Sequence, residues 1–337
     1  MSKINFCIAL FFFSLAWNCL AQGVSGYVFD NATKMPLSGA SVYFEGSTLG
    51  AISNDEGYFN IETTKSINSN LIISYLGYQD RIISQPKTPL KVLLLPALES
   101  LNEVVIRSGS MFSREEMLAV FRNQFLGKTR AGRACEIQNE EDIYLAYDPK
   151  AHRLVAETDQ PIIVINAYLG YEIRFTLYDF RIDYTRNSLS SGSIVQTYYA
   201  GTTFYKDLDP DRRLYLNRRY RSYKGSILEL MRVIATDDWA KKPYEIYSGR
   251  FQVDPHAVFK VKDTLGMKWV RQTEKITVYY NRKQQSVMQP KQSFTIDGYG
   301  SFYPPTAIAF GGVLGNQRLG DALPLDYGLE TINSDKP

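Results

Sequence analysis

Histidine is almost missing from this chain: His152 and His256 are the two among 337 residues. A zinc hydrolase needs two imidazoles and a carboxylate converging on the metal, usually with a His and a Glu a few residues apart. Val155 and Phe259 stand three residues after the two histidines, and no third ligand is evident. Each His therefore reads as an ordinary surface or turn residue, and no metal, catalytic or cofactor-binding set is expected. Cysteine is as scarce. Cys7 and Cys19 lie in the N-terminal apolar segment, so Cys135 alone remains beyond it and no intrachain disulfide is available. A lone Cys in a β-rich context reads as a small buried hydrophobe in preference to a nucleophile.

Other signatures are missing too. No Ser occupies a Gly-x-Ser-x-Gly elbow, and Gly298-Tyr299-Gly300 lacks the third glycine and the strand-to-helix setting of a dinucleotide site. Past the N-terminus no apolar run reaches about eighteen residues, so no transmembrane helix is expected there. Net charge is low at +3, and removing Lys3 with a leader takes it to +2, which dictates no partner and gives nucleic-acid binding no support.

What is present begins with a leader. Lys3, the apolar run Ile8 to Trp17 and the small residues of Cys19-Leu20-Ala21 form a signal peptide over residues 1–21, with the mature chain starting at Gln22. Trp17 and Asn18 before Cys19 argue against lipid attachment. Composition is globular, with 45% hydrophobic and 22% charged residues, and the 24 Tyr and 18 Phe favour β-sheet. Short strands separated by turns follow: Val24 to Phe29, Ala40 to Glu45, a hairpin of Ala51 to Ser53 with Tyr58 to Ile61, Leu71 to Tyr75, Arg81 to Ser84 and Leu90 to Leu95. The acidic hairpin turn Asn54-Asp55-Glu56-Gly57 reads as a solvated turn in preference to a calcium site.

Four segments in order carry a resemblance: Gly26-Tyr27-Val28, Pro36-Leu37-Ser38-Gly39-Ala40-Ser41-Val42, Asn54-Asp55-Glu56-Gly57-Tyr58-Phe59 and Ser74-Tyr75-Leu76-Gly77-Tyr78. They resemble the carboxypeptidase-regulatory-like domain of Bacteroidetes-type envelope proteins. That resemblance implies a transthyretin-like antiparallel β-sandwich over residues 22–97 that is not itself catalytic. Leu101 to Ile106 is similar to the TonB box of outer-membrane receptors. The roughly 230 residues left cannot supply a plug and a barrel, so Glu103 to Ile106 reads as a linker strand. Ser113 and Glu116 form a capping box before Met117, Val120, Phe121 and Phe125, which predicts a helix over Ser113 to Gly127 that brackets two domains. The junction thus spans residues 98–127.

Residues 128–337 read as a larger β-rich α+β domain of unknown function, with one or two helices. Strands are expected at Asp142 to Tyr147, Arg153 to Glu157 and Ile162 to Ile165, and later at Trp269 to Tyr280 and Ser293 to Ile296. Tyr171, Ile173, Phe175 and Leu177 alternate in one phase and Tyr178, Phe180, Ile182 and Tyr184 in the other, which places a bulge near Leu177. Asp209-Pro210 is a helix start, and Gly225 weakens the helix that follows. That helix carries Arg212, Arg213, Arg218, Arg219, Arg221 and Lys224 among tyrosines: a solvated face, or a surface for an anionic glycan or headgroup. The adjacent pairs Glu140-Glu141 and Asp237-Asp238 do not form convergent dyads, because neighbours on a strand face opposite ways. Asp263-Thr264-Leu265 is similar to a short O-glycosylation signal. The ending, Arg318 to Tyr327, resembles the second half of a recurring two-domain envelope family with no established activity.

These features predict an exported, mainly β protein of the periplasm or outer membrane. It binds or supports an envelope protein or glycan, without catalysis, and its oligomeric state is open. The alternatives are a hydrolase, whether a carboxypeptidase or glycan-directed, and an accessory partner of a TonB-dependent transporter.

Overall fold

The computed structural model describes residues 22–63, 69–97, 111–264 and 267–329. The leader, the segment Leu101 to Ile106 and Leu265 lie outside the described residues. The fold is mainly β, in five sheets.

The N-terminal strands are β1 (Gln22–Asp30), β2 (Ser41–Phe44), β3 (Gly50–Ile52), β4 (Tyr58–Thr63), β5 (Leu71–Ser74), β6 (Arg81–Ile83) and β7 (Leu90–Leu94). They pair as β4-β1-β7 and β3-β2-β5-β6, two sheets of a sandwich around Val28, Val42, Phe44, Phe59, Ile61, Leu71, Ile73, Val92 and Leu94. The period-2 pattern of these residues puts them on the inner faces. Pairing is antiparallel except between β1 and β7, which run parallel with Gly26 opposite Leu90. A Cβ on Gly26 would lie 2.4 Å from the Leu90 carbonyl oxygen, so only glycine permits this approach. In the hairpin turn the Asn54 carboxamide oxygen accepts from the backbone N–H of Glu56 and Tyr58, the ordinary work of a turn Asn.

Helix α1 (Arg114–Phe125) follows, with Ser113 as N-cap and the reciprocal Ser113–Glu116 capping box. Its buried residues Met117, Phe121 and Phe125 join the core of the next sheet, so the helix packs on that sheet. The sheet comprises β8 (Cys135–Ile137), β9 (Ile143–Asp148), β10 (Arg153–Thr158), β11 (Ile162–Asn166), β12 (Tyr171–Tyr184) and β13 (Ile194–Asp207). Strand β12 is the spine, pairing with β10, β11 and β13. Its register shifts between Leu177 and Asp179, leaving Tyr178 as the bulged residue where the buried face changes phase.

Helices α2 (Arg213–Tyr223) and α3 (Ile227–Thr236) replace the single helix expected here. Gly225 lies between them at φ +73°, a left-handed conformation that ends one helix before Ser226 caps the next. Asp209 is not the N-cap of α2. Pro210 and Asp211 turn the chain first, with Arg212 N–H donating to the Asp209 carbonyl, and the helix starts at Arg213.

The remaining strands are β14 (Tyr244–Ser248), β15 (Phe251–Val253), β16 (Phe259–Thr264), β17 (Met267–Gln272), β18 (Ile276–Tyr280), β19 (Gln284–Pro290), β20 (Phe294–Ile296), β21 (Phe302–Tyr303) and β22 (Ile308–Gly311). They form the sheets β15-β14-β18-β19-β22 and β16-β17-β20-β21. With α3 these enclose a separate core of Leu230, Met231, Ile234, Ile246, Val270, Val278, Met288, Phe294 and Ile296. The stretch expected as one strand from Trp269 to Tyr280 is broken between Gln272 and Ile276, so its halves enter different sheets. Among the described residues no helix is long and apolar enough to cross a membrane.

The loop between β2 and β3 fixes the sandwich to the rest. Gly46 N–H donates to the Thr203 carbonyl at 2.6 Å and Tyr205 N–H to the Ser47 carbonyl at 3.0 Å. From the other side Leu325 N–H donates to the Gly46 carbonyl, and Thr48 N–H to Asp326 at 2.9 Å. Arg232 holds that closing segment by donating to the Leu325, Tyr327 and Tyr299 carbonyls.

Candidate functional site

The six basic residues of the 212–224 segment do not converge. Arg219 is buried at 2% exposure and leaves any ligand surface. It donates to both Asp207 oxygens at 2.6 and 2.7 Å and to the Leu169 and Gly170 carbonyls. Arg212 stacks on Tyr215, and Arg218 on Tyr168 while donating to the Tyr168 carbonyl. Lys224 faces the buried carboxylate of Glu229 at 3.6 Å. Arg213 and Arg221 are exposed, eight residues and about 12 Å apart along α2.

The two histidines stay apart as well. His152 meets Asn187 at 2.7 Å, whereas His256 sits between Asp254 at 2.7 Å and Asp237 at 2.8 Å. Both aspartates accept from the imidazolium, so its pKa is raised, and the Asp254 carboxyl is held below its usual value. Because the folded-state pKa exceeds the unfolded value of about 6.5, this pairing stabilises below that pH and fades as pH rises through the folded pKa. Asp237→Asn is expected to move the His256 titration, followed by NMR, back toward about 6.5. An unmoved midpoint would show that Asp237 has no part in it. Glu140 is taken up by Arg122, and Asp238 by Lys241. Burial pushes the largely buried Cys135 thiol up to about 12, the opposite of an activated nucleophile. Among the described residues no group of three or more His, Cys, Asp and Glu side chains is arranged to hold a metal ion.

One concave surface does gather convergent polar and aromatic groups. It is an open groove of about 610 Å³ lined by Glu245, Tyr247, Gly249, Arg250, Gln252, Thr277, Tyr279, Arg282 and Gln285. Its origin is the alternation of β14 and β18. Ile246 and Val278 point into the core, which turns Glu245, Tyr247, Thr277 and Tyr279 to the opposite face. Antiparallel register sets Glu245 opposite Tyr279, Tyr247 opposite Thr277 and Gln252, and Tyr279 opposite Gln285. The Tyr247 and Tyr279 rings meet edge to face with centroids 5.4 Å apart. Glu245 accepts from Arg282 Nε at 2.6 Å and from the Tyr247 hydroxyl at 3.3 Å, and Arg282 keeps its carboxyl below the usual range.

This face was not legible as a site in the sequence. Its members come from four strands and their turns, and the signal that could have flagged them is the Tyr-x-x-Tyr-x-Gly-Arg run Tyr244 to Arg250 beside the alternating Ile276 to Tyr280.

Among solved structures, the chain is similar to a type II cohesin–X-dockerin complex of Acetivibrio cellulolyticus, an N-terminal interface mutant, at 24% identity and TM-score 0.19. That match covers 22% of this chain and spans 58% of the other. A candidate carbohydrate-binding protein of Bacteroides uniformis matches at 6% identity, over 55% of this chain and 79% of its own, with TM-score 0.19. A candidate membrane-associated protein of unknown function from Bacteroides fragilis matches at 8% identity, over 83% and 91%, with TM-score 0.18. TM-scores of this size carry no argument about fold or ligand. No curated protein matches the chain. The family whose pattern the chain does satisfy is confined to its first part: residues 24–106 are a CarboxypepD_reg-like domain.

Proposed function

We propose that this is an exported, non-enzymatic binding protein of the cell envelope whose C-terminal sheet face takes a saccharide. The observation that carries the reading is the groove built on Tyr247 and Tyr279. This half-buried aromatic pair in the groove lining offers an apolar surface to the C–H face of a sugar ring, while Glu245, Gln252, Gln285 and Arg282 supply donors and acceptors for hydroxyls. The CarboxypepD_reg-like domain acts as a rigid mount. Its β2–β3 loop is held from two sides, so the groove is presented at a set orientation to whatever the sandwich contacts.

The test is a screen of the mature chain against an oligosaccharide array, followed by calorimetry on the binders. Tyr279→Ala is expected to weaken saccharide binding by roughly tenfold or more, the scale of losing an aromatic contact and its apolar area, with an unchanged circular dichroism spectrum. An array on which the wild-type chain binds nothing would end this reading.

A further inference from the structure

The groove is electrically lopsided. Two guanidiniums, Arg250 and Arg282, line it against one carboxylate, Glu245. Arg282 contacts Glu245 through Nε, and its outer edge, the two terminal nitrogens, has no partner among the described residues, with the side chain 85% exposed. Arg250 has no hydrogen-bond or ion-pair partner among the described residues, and it stands in the β14–β15 hairpin next to Gly249.

Position adds to the charge count. Tyr244 pairs with Tyr280 at one end of the β14–β18 ladder, and Tyr247 with Thr277 near the other. Arg282 follows Tyr280 and Arg250 follows Ser248, so the two cations bracket the aromatic pair from opposite ends. The five residues of β14 lie between these two turns and span about 13 Å of strand, at roughly 3.3 Å per step, room for more than one sugar ring.

Arg282 is presented by the hairpin turn between β18 and β19: Asn281 and Arg282 lie at φ +51° and +58°, the two left-handed central positions of a turn closed by Lys283 N–H donating to the Tyr280 carbonyl at 3.2 Å.

We propose that the groove's ligand is an acidic oligosaccharide, its rings lying on Tyr247 and Tyr279 and its carboxylates meeting Arg250 at one end and the outer edge of Arg282 at the other. This rests on the saccharide reading above and narrows it to a class. Guanidinium forks match carboxylates bidentately, and Glu245 tethers Arg282 through Nε while leaving the rest of its fork open to a ligand.

The experiment is calorimetry on the mature chain with oligouronates, such as trigalacturonate and hyaluronan and alginate fragments, each paired with its carboxyl-reduced neutral form. At low salt at least one acidic form is expected to bind about tenfold or more tightly than its reduced counterpart, with the gap closing as salt rises. Arg250→Ala is expected to erase most of that gap. Arg282→Gly is expected to lower acid affinity while the melting temperature stays level or rises, because glycine relaxes the turn. If reduced forms bind as tightly as acids, or if Arg250→Ala leaves the gap intact, the acidic assignment fails and the saccharide reading stands. If no acidic or neutral form binds, both fail together.

Discussion

Replacing Arg219 by alanine is expected to destabilise the protein by about 3 kcal/mol, measured as the shift in chemical denaturation. Arg219 is buried at 2% exposure, and four hydrogen bonds hold its guanidinium. Both Asp207 oxygens accept from it, as do the Leu169 and Gly170 carbonyls, and the Tyr171 ring lies 4.0 Å from its central carbon. Removing one partner of a buried pair typically costs about 3–5 kcal/mol, because the other charge stays in place, here with the Leu169 carbonyl, while the Gly170 carbonyl keeps its bond from Leu208 N–H. The Asp207 side chain is 25% exposed, so water partly compensates it and the lower end applies. Arg219→Lys is expected to recover only part of the loss, since an ammonium cannot reach the carboxylate fork and two carbonyls at once. A loss under about 1 kcal/mol in Arg219→Ala would show that the pair contributes no more than a surface ion pair.

That arginine also marks where sequence reasoning stops. Nothing local distinguishes Arg219 from Arg218 or Arg221. What draws it inward is an aspartate twelve positions earlier and carbonyls some fifty positions away. Features set by near neighbours were legible: the Ser113–Glu116 capping box, the turn at Asn54, the alternating strands of the sandwich and the bulge announced by the phase change after Leu177. Gly225 was visible as a weak point, yet whether a glycine in a helical pattern is tolerated or adopts positive φ is decided by what packs on either side. Here a Cβ would strike Gln284 Oε1 and the Tyr280 ring, at 2.6 and 2.8 Å. The short strands from Tyr244 to Thr264 escaped notice because three to six residues carry little periodicity. The groove escaped with them, since it exists only once β14 and β18, some thirty residues apart, lie in register.

The separate cores yield the second large effect. Phe125→Ala is expected to cost about 3–5 kcal/mol, the range for removing a fully buried phenyl ring and leaving a cavity that the surroundings only partly fill. Phe125 has 0% exposure and touches four other rings, Phe121 and Phe175 with centroids at 5.0 Å, Tyr199 at 5.5 Å and Phe180 at 6.5 Å. These rings come from α1, β12 and β13, so truncation unseats the helix and both long strands together. Collapse is hindered because aromatic rings cannot bend into the void, which favours the upper half of the range. Phe125→Leu is expected to cost clearly less, under about 2 kcal/mol, as most of the volume remains. Strand β13 also carries the contacts at Thr203, Phe204 and Tyr205 that seat the sandwich loop, so the loss of α1 packing propagates to that junction. The groove, by contrast, lies on strands whose inner faces belong to the other core. Below its lowered melting transition, Phe125→Ala should therefore bind saccharide as the wild type does, and a folded variant that had lost binding would show that the two cores act as one.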